Sequence, residues 1–132
     1  MNTSERPSSF AESPFKEKTG LRRAWSALRY SLAGLRAAYR FEESFRQEIW
    51  LAAVLIPLAV LLPASGIGHA LMIGSVLLVV IIELLNSAIE AAIDRISLDQ
   101  HSLSKRAKDI GSAAVLVALI NVLVTWSLVL LG

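Results

Sequence analysis

The chain has 132 residues, enough for one domain, and 55% of them are hydrophobic. The absence of cysteine excludes a disulfide framework, a thiolate metal site and a Cys nucleophile. The net charge is only +2, and the basic residues crowd beside apolar blocks, a pattern that suits a membrane surface and argues against a nucleic-acid partner.

Residues 1–20 are rich in Ser, Pro, Glu and Lys and are expected to be a disordered tail. They hold no apolar core with a small-residue cleavage site, so no signal peptide is expected. Residues 21–132 are expected to form a single integral membrane domain.

From Leu21 the pattern is helical. Leu21, Trp25, Leu28, Leu32, Leu35 and Tyr39 form one apolar stripe, and Arg22, Arg29 and Arg36 form a parallel basic one. This predicts an amphipathic helix over about residues 21–47, lying flat at a membrane interface. Its last part, Phe41 to Glu48, sets three acids and Arg46 at the mouth of the first apolar block. Charges in that position also serve as ordinary solvated anchors.

The stretch from Ile49 to Ile82 contains no charged residue. As one helix it would be about 50 Å long, too long for a hydrocarbon core of about 30 Å. The turn residues of Pro63–His69 must therefore divide it. The expected spans are about 48–62, 69–94 and 110–131, which makes an all-α membrane protein. Arg22, Arg23, Arg29, Arg36, Arg40 and Arg46 precede the first span; Arg95, Lys105, Arg106 and Lys108 follow the second. The 63–69 turn has no Lys or Arg, so the N-terminus and the 95–109 loop are expected to be cytoplasmic and the C-terminus external.

The second span carries the chemistry. Glu83, Asn86, Glu90 and Asp94 lie within about 60° of one line on a helix. Ionisable groups at that depth are costly, so the stripe should face a protein interior or a wet cavity. Three functions are open: polar contacts between packed helices, a proton or cation pathway, and a metal-assisted reaction on a lipid. The charged residues Asp94, Arg95, Asp99, His101, Lys105, Arg106, Lys108 and Asp109 follow directly. Carboxylates that hold Mg²⁺ together with substrate phosphates, and a lysine beside them, favour phosphoryl transfer over transport. Neither GxxxxGK[ST] nor a glycine-rich kinase loop occurs, so a nucleotide site here would be of an unrelated kind. His69 and His101 do not have the spacing of zinc ligands.

The run Glu83-Leu-Leu-Asn-Ser-Ala-Ile-Glu90, then Asp94-Arg95, His101, Leu103-Ser104 and Arg106-Ala-Lys-Asp-Ile-Gly-Ser112, resembles the signature of the prokaryotic diacylglycerol kinases. Gly34-Leu-Arg-Ala-Ala38 and Phe45-Arg-Gln-Glu48 extend the resemblance over about residues 21–131. It implies a surface helix and three transmembrane helices, a homotrimer with active sites shared between subunits, and phosphorylation of diacylglycerol by ATP with Mg²⁺ in a bacterial inner membrane. Glu83 then matches the general base, with Asn86 beside it, and Glu42 and Glu90 match the Mg²⁺ ligands. Arg23, Tyr30, Asp99, His101, Lys108 and Asp109 match nucleotide contacts, together with Glu42 and Glu90. Arg36, Gln47, Glu48, Glu83 and Ser112 match the lipid pocket. The choice of Glu42 over Glu43 rests on the resemblance alone. The chain departs from the family pattern at Leu32, Ala33, Gln100 and Ser102. The alternatives are an undecaprenol kinase and, outside kinases, a small oligomeric cation or proton conductor.

Overall fold

Long apolar runs broken by one short Pro/Gly turn give long helices and little else. The computed structural model describes residues 20–96 and 102–132. Four helices follow in order: α1 (Gly20–Phe41), α2 (Glu43–Leu61), α3 (Gly66–Ile96) and α4 (Ser102–Leu131). The chain divides between Arg36 and Ala37 into two compact units. In the first unit, α1 presents Leu21, Trp25, Leu28, Leu32 and Leu35 as exposed apolar side chains.

The first helix is shorter than expected. It stops at Phe41, Glu42 takes an extended conformation (φ −114°, ψ 108°), and α2 begins at once. Arg46 supplies the reason. Its Nη1 donates to the carbonyl oxygens of Tyr39 at 2.8 Å and Arg40 at 3.0 Å. Those carbonyls would otherwise be orphaned at a helix C-terminus.

The turn between α2 and α3 lies where Pro63 and the glycines put it. Ser65 caps α3, its Oγ accepting from the Gly68 N–H at 3.0 Å. His69 Nε2 lies 2.8 Å from the Leu62 carbonyl. A carbonyl only accepts, so this nitrogen carries the proton. Gly68 is needed for fit: a Cβ there would sit 2.9 Å from Val129 Cγ1.

In the second unit α3 is the central helix, with α2 packed on one side and α4 on the other. Its buried face is Gly68, Met72, Ser75, Val76, Val79, Glu83, Asn86 and Ser87. The partners meet it with small residues at seven-residue spacing, Ala52 and Ala59 on α2 and Gly111 and Ala118 on α4. Small residues let membrane helices approach closely. Across this contact Trp126 Nε1 donates to the Met72 carbonyl at 3.1 Å, and Ser75 Oγ donates to the same oxygen at 2.7 Å.

The outward faces are apolar. Leu116, Val117, Leu123 and Val124 of α4, and Val54 and Val60 of α2, are half or more exposed. So much uncovered apolar surface suits lipid rather than water. The α2, α3 and α4 helices, of 19, 31 and 30 residues, are long and apolar enough to cross a bilayer, and the chain is a membrane protein. At about 1.5 Å per residue α3 and α4 each run to about 45 Å, beyond a core of about 30 Å. Their charged ends therefore emerge from the hydrocarbon. The α4 helix starts at Ser102 rather than near residue 110, because Ser102–Asp109 holds no helix breaker and Lys105 bonds Asp109 one turn on at 2.7 Å.

Candidate active site

The acidic stripe faces inward, as its spacing predicts, and its burial is graded. Glu83 is 3% exposed and Asn86 7%, Glu90 is half-buried, and Asp94 is exposed. Glu48 of α2, Glu90 and Glu42 lie close enough for their charges to act on Glu83. Four acids from α2, α3 and the junction before α2 thus share one electrostatic neighbourhood.

Among the described residues, three buried polar atoms there lack a hydrogen-bond partner: Glu48 Oε2, Asn86 Oδ1 and Ser87 Oγ. Unpaired polar groups inside an apolar protein are costly, so each of these atoms calls for a reason to be buried. Ser87, which the acidic pattern does not single out, stands one helical turn beyond Glu83 on the same face. The signal was available in that spacing.

At the outer end Lys108 Nζ donates to Asp94 Oδ1 at 2.6 Å. The Asn86 amide reaches toward Glu90, Nδ2 to Oε1, at a long 3.5 Å. Glu42, between α1 and α2, has its carboxyl held above the usual carboxylate range by partial burial, with the charges of Glu90 and Asp94 adding to the effect.

The other expected site residues fall in different places. Gln47 is exposed on α2. Ser112 and Asp109 are exposed on α4, and Asp109 is paired with Lys105. Arg23, Tyr30 and Arg36 belong to α1 in the first unit, where Arg23 and Tyr30, seven residues apart, share a helix face. Asp99 and His101 lie outside the described residues.

Among the described residues no three acid, histidine or cysteine side chains converge as a ready cation cage. Mg²⁺ asks less of a protein, usually one or two carboxylates with phosphate oxygens completing its shell. Glu42 and Glu90 meet that requirement. They lie close enough to repel one another, and among the described residues neither is in an ion pair.

Known proteins resemble this chain along most of its length. The family model described as prokaryotic diacylglycerol kinase matches residues 29–130. A diacylglycerol kinase of Pseudomonas aeruginosa is 58% identical over 120 residues, covering 91% of this chain and 98% of its own length. One from Haemophilus influenzae is 50% identical over 82% of this chain and 92% of its own. One from Escherichia coli is 49% identical over 85% and 92%. A helical membrane bundle with a buried carboxylate stripe, matched along most of its length by these enzymes, belongs to the prokaryotic diacylglycerol kinase family.

Proposed function

We propose that this chain phosphorylates the primary hydroxyl of diacylglycerol with ATP and Mg²⁺, giving phosphatidic acid at the cytoplasmic face of a bacterial inner membrane. The observation that carries the proposal is the burial of Glu83 at the inner end of a stripe that leads to the exposed Asp94–Lys108 pair. A lipid hydroxyl at the edge of the hydrocarbon and a phosphate in the headgroup layer need these two ends.

In the reaction the lipid hydroxyl oxygen bonds to the γ-phosphorus as the bond from that phosphorus to the β–γ bridging oxygen breaks, leaving ADP. Glu83 accepts the hydroxyl proton, a role suited to a carboxylate in a low-dielectric site. Asn86 stands beside it. Glu42 and Glu90 would hold Mg²⁺, whose charge, when it is bound, neutralises the phosphate oxygens. Lys108 and Asp109 serve the phosphates, with Arg23, Tyr30, Asp99 and His101 assigned to the rest of the nucleotide. Arg36, Gln47, Glu48 and Ser112 receive the lipid, and the unpaired Glu48 Oε2 offers its head group an acceptor.

Residues 21–132 act as one membrane domain, with the N-terminus and the 95–109 segment cytoplasmic and the C-terminus periplasmic. The lack of Lys and Arg in the α2–α3 turn supports this orientation. The enzyme works as a homotrimer, which would cover part of the broad exposed faces of α2 and α4.

The test is transfer of label from ATP to lipid by purified protein in detergent micelles, with diacylglycerol and undecaprenol offered separately, with and without Mg²⁺. Mg²⁺-dependent labelling of diacylglycerol supports the proposal. Labelling of undecaprenol alone would move the substrate, and no transfer by folded protein would overturn the kinase assignment.

A further inference from the structure

Gly111 is buried in α4, directly against the stripe. A Cβ built on it would collide with Asn86 Oδ1 and lie 3.2 Å from Asn86 Cγ. The glycine Cα–H thus points at the oxygen that otherwise has no donor. A weak Cα–H···O contact of this kind recurs where helices pack closely. It also settles which way the amide faces. With the oxygen on Gly111, Nδ2 points to Glu90, as observed; turned over, the amide would set oxygen against carboxylate.

We infer that Gly111 is a positioning residue: its missing side chain seats the Asn86 amide, and the seated amide orients Glu90. No other residue type gives both the space and the Cα–H. The inference rests on the proposed role of Glu90 in holding Mg²⁺ for its kinetic consequence, but not for the seat itself. Groups that orient a metal-binding carboxylate are typically worth about 10- to 100-fold in metal affinity or activity.

The experiment uses the full chain in micelles and two readouts. The first is the side-chain amide resonance of Asn86 in protein labelled with ¹⁵N-asparagine, assigned by its loss in Asn86→Ala. It is recorded without metal, nucleotide or lipid, so it tests the seat even if the kinase assignment fails. Gly111→Ala should move this resonance, while Ala113→Ser, an exposed site on the same helix, should leave it in place. The second is the Mg²⁺ concentration at half-maximal turnover. Gly111→Ala should raise it about tenfold or more. In an Asn86→Ala background the added methyl has room, so the double variant should match Asn86→Ala within about twofold. If Gly111→Ala alone does not fold, recovery of folding in the double variant supports the inference. An unmoved resonance, an unchanged Mg²⁺ requirement, effects that multiply in the double variant, or a double variant that also fails to fold would each overturn it.

Discussion

Lys108 Nζ bonds Asp94 Oδ1 at 2.6 Å across fourteen positions of sequence, tying the start of α4 to the end of α3. The two side chains are 40% and 47% exposed. An ion pair so open to solvent is screened by water and salt, so its service to the fold is small. Lys108→Met should therefore leave the melting midpoint in micelles close to that of the parent. A lost charge-assisted bond to phosphate is worth about 1.5–3 kcal/mol, so KM for Mg-ATP should rise about tenfold to a hundredfold. Kinetics and a melting curve on one preparation separate the two effects; a large loss of stability with unchanged KM would make Lys108 structural.

Glu42 gives a pH signature. Partial burial and the neighbouring Glu90 and Asp94 raise its carboxyl pKa, so the folded state holds this proton more tightly than the unfolded chain does. A raised acid favours the fold while protonated and loses that contribution as pH climbs through the folded value. Without Mg²⁺, Glu42→Gln should therefore leave neutral-pH stability unchanged or slightly higher. Cation binding needs the ionised form. The Mg²⁺ requirement of the parent should thus grow in mildly acidic buffer, above the range where an ordinary glutamate titrates, and Glu42→Gln should flatten that dependence. Titrations of Mg²⁺ at several pH values decide it.

Trp126 tests the packing of α4 on α3. The indole N–H reaches the Met72 carbonyl, and an interhelical bond inside a membrane is worth about 0.6 kcal/mol on average. Trp126→Phe should cost about that much in unfolding by denaturing detergent, without loss of turnover. Trp126→Ala, which also removes the part-buried ring, should cost more than Trp126→Phe in the same assay.

Ser65 tests the α2–α3 turn. Ser65→Ala removes the acceptor for the Gly68 N–H and should cost about 0.5–2 kcal/mol, as lost N-caps do. Because Glu83 lies far along α3 from this cap, turnover of the folded variant should stay at the parent level.

The number of spans, the position of the α2–α3 turn and the inward acidic stripe were legible because each follows from spacing along a single helix. The end of α1 was not. Nothing at Phe41–Glu42 resembles a helix breaker, and the break depends on Arg46 reaching back to two carbonyls, a contact the local pattern does not encode. The early start of α4 is hidden in the sequence for a related reason. Charged residues read as loop when hydropathy sets the boundaries, yet a helix long enough to leave the bilayer carries its charges in water without ending. Family likeness singled out Glu42, whereas Gly111 gained a role only once α3 and α4 were seen together. Contacts between elements, unlike periodicity within one, are not written in a single stretch of residues.

The most direct test of Glu83 as the base is single-turnover transfer from labelled Mg-ATP to diacylglycerol by parent and Glu83→Gln protein. Gln keeps the size and polarity of the side chain and removes its ability to take a proton. Mg-ATP binding and oligomeric state should be unchanged, and the transfer rate should fall by at least about a hundredfold, the lower range for a lost general base. A Glu83→Gln protein that transfers phosphate at the parent rate would contradict the mechanism proposed for this buried carboxylate.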